Sequence, residues 1–231
     1  MPLTLRWISI VVCVVVAGVL ATPALSVART WASPNASFAA MPGMSPPQQG
    51  TQDDGVSLDG LGHDRGTSVA KNWVAEFLDF GCGYCAKFAL ETYPAIDKEF
   101  IASGKVRWKI VPFVSGQFPN SEEAAVSAEC AGEQGKFPAM HDSLLASRKE
   151  WMKSDKPQDV FVRIGRTIGL NAAAAAKCAT GDQARFRVRK QTMIAKRVNI
   201  RGTPTFFING ERIEGAVPLP LFRQVMQQLT K

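Results

Sequence analysis

Two kinds of apolar spacing alternate along the chain, and their order sets the expected architecture. From Trp73 to Phe80 both alternating sets of positions are mostly apolar, which predicts a strand in the middle of a sheet covered on both sides. Glu76 shares a face of that strand with Val74 and Leu78 and is a candidate buried carboxyl. From Cys85 the apolar positions Phe88, Ala89, Ile96 and Phe100 take helical spacing, with Pro94 predicting a kink and Gly104 a stop. Lys105 to Val114 predicts a second strand with Val106, Trp108 and Ile110 on one face. Strand, helix and strand in that order make a βαβ unit.

From Asn120 to about Arg197 the periodicity is helical throughout. Asn120 with Glu123 resembles a helix start, Gly135 and Gly169 separate segments, and Asn171 and Asp182 each precede a further helix. The sheet then resumes. Thr205–Ile208 and Glu211–Glu214 flank Asn209-Gly210, the pair a type I′ hairpin turn favours, and Phe222, Val225, Met226 and Leu229 mark one face of a closing helix. The expected organisation is α/β: a βαβ part over 67–115, an all-helical insert over 116–197 and a ββα part over 198–231.

The N-terminal part has neither period in this form. Arg6, an apolar run from Trp7 to Ala21, and Ser26-Val27-Ala28 predict a signal peptide over 1–28 cleaved after Ala28. The apolar run is short for a spanning helix, so a membrane tether through an uncleaved segment is the lesser alternative. Residues 29–66 are rich in Pro, Gly and Ser around Met41 and Met44 and are expected to be a flexible linker. The composition, 46% hydrophobic and 20% charged, leaves room for one substantial core in what remains. A net charge of +7 comes from scattered Lys and Arg with no basic tract, which argues against nucleic acid as a partner.

Export changes how the cysteines read. Cys13 would leave with the signal, and the mature chain would keep Cys82, Cys85, Cys130 and Cys178, an even number in a disulfide-permissive compartment. Cys82-Gly83-Tyr84-Cys85 stands where the first strand gives way to a helix. At a helix start the free N–H groups and the positive end of the dipole favour a thiolate at Cys82, and Cys85, one turn on, can attack a mixed disulfide formed there. A zinc site would need two more ligands, and no second pair has finger spacing. With the CxxC thiols accounted for, Cys130 and Cys178 are left to pair as a structural disulfide. Glu76, if buried, could exchange a proton with Cys85. His141-Asp142 is read as a surface or packing feature. Pro204, at the entrance to a strand, can be cis.

Taken together, three stretches resemble the DsbA-like thiol–disulfide oxidoreductases: Glu-Phe-Leu-Asp-Phe-Gly-Cys-Gly-Tyr-Cys over 76–85, Gly-Thr-Pro-Thr-Phe-Phe-Ile-Asn-Gly over 202–210, and Cys-Ala-Gly-Glu-Gln-Gly-Lys-Phe over 130–137. The resemblance implies a thioredoxin-like fold with a helical insert and redox work without a cofactor beyond the Cys82–Cys85 disulfide. It implies an exposed nucleophile at Cys82, a buried resolving thiol at Cys85, a cis-proline at Pro204 beside them, a buried acid at Glu76, and pairing of the Thr203 backbone with an extended substrate. Gly83 and Tyr84 would also meet substrate. They replace the Pro-His of the strongest oxidants, so no charge is expected between the cysteines. Gly-Tyr with Thr before Pro also resembles the isomerase branch, but 29–66 does not resemble a dimerisation domain. The expectation is an exported oxidase acting on unfolded polypeptides and re-oxidised by a membrane partner, with an isomerase or reductase as the alternative.

Overall fold

The structure, a computed structural model, describes residues 58–231. The expected signal peptide, Cys13, Met41, Met44 and most of the linker lie outside the described residues. A five-stranded sheet runs β1-β3-β2-β4-β5. Its strands are β1 (His63–Arg65), β2 (Asn72–Leu78), β3 (Val106–Pro112), β4 (Thr205–Ile208) and β5 (Glu211–Glu214). β2 is parallel to β3, and the other neighbours are antiparallel.

β2 is central and covered on both faces, as its two apolar sets predict. Val74, Leu78, Trp108 and Ile110 enter the larger core, whereas Ala75, Phe77 and Val111 enter a smaller one with Phe113, Ala195 and Ile200. The larger core is dense in aromatic rings: Phe88 meets Phe206 at 4.6 Å and Phe222 at 5.2 Å between centroids. The hairpin turn has Asn209 at φ 47 and Gly210 at φ 93, positive at both central positions as a type I′ turn requires.

The crossover from β2 to β3 is one kinked helical run. It opens as α1 (Gly83–Lys87) and widens to a π-helical turn over Phe88–Thr92. It resumes as α2 (Tyr93–Ile96) and widens again over Asp97–Ile101. Tyr93 N–H reaches back to Phe88 O immediately before Pro94. The expected kink is thus accommodated by wide turns on either side of the proline.

The insert comprises α3 (Ser121–Gly132), α4 (Phe137–Ala146), α5 (Arg148–Lys153), α6 (Pro157–Thr167), α7 (Ala172–Thr180) and α8 (Asp182–Arg197), and α9 (Leu219–Leu229) closes the fold. Asn171 caps α7 by accepting from Ala174 N–H at 2.9 Å. Asn120 does not cap α3 as expected. It adopts φ 59, and its Nδ2 donates instead to Trp151 O and Ser154 O, tying the start of α3 to α5.

The fold also begins earlier than the expected boundary at Thr67. β1 pairs with β3 within the stretch read as linker, and Leu61 is 2% exposed. A three-residue strand of His, Asp and Arg has no hydrophobic alternation to reveal it. Side chains secure it instead: His63 stacks on Phe137 with centroids 3.7 Å apart, and Asp64 pairs with Lys109.

Cys130 of α3 and Cys178 of α7 form a disulfide, the pairing expected. It closes a loop spanning a sequence separation of 48, worth about 4 kcal/mol in the chain-entropy account. Replacing both with Ala should lower unfolding stability by about that amount in denaturant titration. A loss under about 1 kcal/mol would show that packing of α3 on α7 suffices.

Candidate active site

The loop between β2 and α1 is fixed by Asp79, a fully buried side chain at the end of the central strand. Its Oδ1 accepts from Gly81 N–H at 2.9 Å and from the Ser121 hydroxyl at the start of α3, and its Oδ2 accepts from Ser115 N–H at 2.9 Å. Its backbone carbonyl accepts from Cys82 N–H at 2.9 Å. Gly81 must be glycine for packing: a Cβ there would lie 2.2 Å from Phe118 Cβ. These contacts place Cys82 as the residue preceding α1, with extended backbone at φ −77 and ψ 126.

Across from it, Thr203–Pro204 is cis, and Cys82 Sγ lies 3.2 Å from Thr203 O. Thr205 Oγ1 donates to Gly202 O at 2.7 Å and braces that turn. Cys82 and Cys85 are both free thiols here. Cys85 is wholly buried; Cys82 is only 5% exposed, so the expectation of an openly exposed nucleophile is corrected. The cause is the Thr203–Pro204 loop, whose carbonyl stands against the sulfur. Gly83 and Tyr84 are the exposed members of the motif, Tyr84 at 67%.

The thiols are electrostatically unlike. A hydrogen bond from Cys85 is the main influence lowering the Cys82 pKa to about 5; Thr203 and the N–H groups of Cys85 and Tyr84 add to it against the cost of burial. Cys85 is pushed well above its usual value, first by burial and then by its bond and proximity to Cys82. Glu76, 1% exposed, accepts from Trp108 Nε1 at 2.9 Å. Burial raises it to about 7, opposed by that hydrogen bond and by Arg65. Its charge adds a small upward push on the Cys85 thiol, so the expected buried acid acts on the second cysteine of the pair.

His141 is a packing residue, as expected: it is 1% exposed, its Nδ1 is 2.7 Å from Asp142 Oδ1, and its ring meets Phe80 edge-on. Sequence reasoning missed Asp79, which alternation could have flagged as a second acid in a covered strand. It also missed Arg148, for which no local signal exists. Arg148, the first residue of α5, donates through Nε to Gly81 O, and its terminal nitrogens lie 3.8 and 3.9 Å from where a Gly83 Cβ would stand. The dipeptide itself carries no charge, as expected; the insert brings one to its flank.

A CxxC at the head of a helix, a cis-proline against its first sulfur and a βαβ/ββα sheet split by helices define a thioredoxin-fold dithiol protein. A family model described as thioredoxin matches residues 60–227, and the chain belongs to that family. It is 26% identical over 142 residues to a Rickettsia typhi protein whose name reads "putative protein-disulfide oxidoreductase", covering 61% of this chain and 52% of that protein. It is 32% identical over 155 residues to a Na(+)/H(+) antiporter of Salinispora tropica, covering 66% of this chain and 22% of the antiporter. The chain thus spans about half the length of the first of these relatives, and less of the second. Its fold is that of the crystal structure of α-DsbA1 from Wolbachia pipientis, with TM-score 0.68 at 20% identity over 76% of this chain and 93% of that one.

Two outcomes follow from these charges. Alkylation of Cys82 in the reduced protein should rise with pH around a midpoint near 5, with Cys85 unmodified. Cys85→Ala should move that midpoint upward, and a wild-type midpoint near the free-thiol value of about 8.5 would contradict the site as described.

Glu76 carries the opposite sign. Its folded pKa lies above the unfolded one, so burial destabilises the fold fully above about 7 and not at all below the unfolded value. Glu76→Gln should therefore gain about 3 kcal/mol relative to wild type between pH 4 and pH 8 in chemical unfolding of the reduced protein. A pH-independent difference would mean Glu76 ionises normally.

Proposed function

We propose that this chain is an exported thiol–disulfide oxidoreductase that introduces disulfides into other polypeptides through Cys82 and Cys85. The observation that carries the proposal is the asymmetry of the two thiols, one held as an anion with a pKa of about 5 and its neighbour pushed up by burial.

With the pair oxidised, a substrate thiolate attacks Cys82 Sγ. The Cys82–Cys85 bond breaks, and its electron pair leaves on Cys85, which takes a proton; Glu76 is the nearby acid able to supply it. A second substrate thiolate attacks the substrate sulfur of the mixed disulfide, and Cys82 departs as the stabilised anion. The substrate has lost two electrons and gained a disulfide, and the protein holds them as a Cys82 thiolate and a Cys85 thiol. A membrane redox partner then removes them. The Thr203 backbone beside Cys82 is suited to pair with an extended substrate segment by strand addition.

Export rests on the basic start, the apolar run from Trp7 to Ala21 and the small residues Ser26-Val27-Ala28. Among the described residues no helix is long and apolar enough to cross a membrane. Oxidation is favoured over isomerisation because a stabilised Cys82 thiolate favours the reduced form and so makes the disulfide a stronger oxidant. The alternative, an isomerase or reductase, is favoured by Gly83-Tyr84 and the Thr before Pro204.

Oxidation of a reduced dithiol peptide by the disulfide form, and rescue of a scrambled multi-disulfide protein by the dithiol form, separate the two. Rapid peptide oxidation is expected, with a reduction potential well above the thioredoxin value of about −270 mV. Efficient rescue with slow oxidation and a potential near that value would assign the protein to the alternative.

A further inference from the structure

Arg148 has no evident duty in its own helix. It is the first residue of α5, where the free N–H groups of the helix end already present positive charge and a cation is disfavoured. Nor is its charge matched: among the described residues its one hydrogen-bond partner is the Gly81 carbonyl, and it forms no ion pair. The acid two residues on, Glu150, is paired with Arg163.

Its position is nevertheless fixed by the motif. Nε is held by the residue before Cys82, and Nη1 and Nη2 lie against the residue after it. Gly83, with no side chain, leaves those two nitrogens uncovered at the exposed end of the motif, next to the 67%-exposed Tyr84. A planar fork of unused donors flanking the CxxC matches a carboxylate.

We infer that Arg148 reads the substrate, favouring polypeptides that carry an aspartate or glutamate within a few residues of the cysteine being oxidised. The inference rests on the proposed exchange at Cys82 and names the class of polypeptide that exchange prefers. A segment extended along Thr203 brings side chains two residues from its cysteine to the cysteine's own face, about 7 Å away, within reach of a long arginine. The gain is that of a partly exposed, charge-assisted contact, about threefold in rate, and it weakens with salt.

The test compares reduced peptides reacting with the oxidised protein under single-turnover conditions. One peptide carries Asp two residues from its cysteine, a second carries Asn there, and a third carries Asp eight residues away. The readout is the ratio of rates within each variant, which cancels any general damage from freeing the Gly81 carbonyl. Wild type should favour the near-Asp peptide about threefold over both others. Arg148→Lys should keep part of that preference, Arg148→Gln should abolish it, and Arg148→Glu should reverse it. Equal ratios in wild type and Arg148→Gln would overturn the inference and leave Arg148 as a brace for the loop. Failure of the wild type to exchange with any peptide would instead overturn the proposed function.

Discussion

Asp79 joins the parts of this molecule that are far apart in sequence. Its carboxyl oxygens receive the backbone of the loop after β2, the backbone leaving β3 and the first hydroxyl of α3, all in a fully buried setting. Buried donors and acceptors of this kind are costly to leave unpaired, so the three segments hold one another in place. Because Cys82 follows three residues later, its position is inherited from that junction. Cys82 N–H is bound to the Asp79 carbonyl as well, which ties the sulfur's place directly to that junction.

On that frame the two sulfurs receive different surroundings. Cys85 sits in the apolar interior with a buried acid nearby, and Cys82 sits where backbone N–H groups, the Thr203 side chain and Cys85 itself can all donate to it. No charged residue is needed inside the CxxC for this difference. The dipeptide therefore says less about the site than its neighbours in space do, and Arg148 makes the same point from the other side. A residue more than sixty positions downstream binds the Gly81 carbonyl and places its guanidinium beside Gly83.

What the sequence revealed and what it hid divide along physical lines. β2, β4 and β5 were legible because apolar spacing and an Asn-Gly turn are local signals, and Cys130–Cys178 followed from a count. β1 was hidden because His63, Asp64 and Arg65 are held by a ring stack and ion pairs with residues distant in the chain, leaving no period to read. Asn120 misled because a good capping side chain was drawn to the carbonyls of α5 instead. Among site residues, Cys82, Cys85, Glu76, Thr203 and Pro204 come together as expected, since motif and strand parity place them. Arg148 and the closeness of the Thr203 carbonyl over Cys82 depend on tertiary packing alone.

The Cys130–Cys178 bridge also bears on how the protein comes into being. Its two sulfurs must give up a pair of electrons before the insert is locked, and in the exchange proposed above Cys82 and Cys85 must give up another before the first turnover. Each new copy thus needs an oxidant for its own insert, whatever its dithiol goes on to do. Without such an oxidant the polypeptide could be made, but α3 and α7 would remain unlinked.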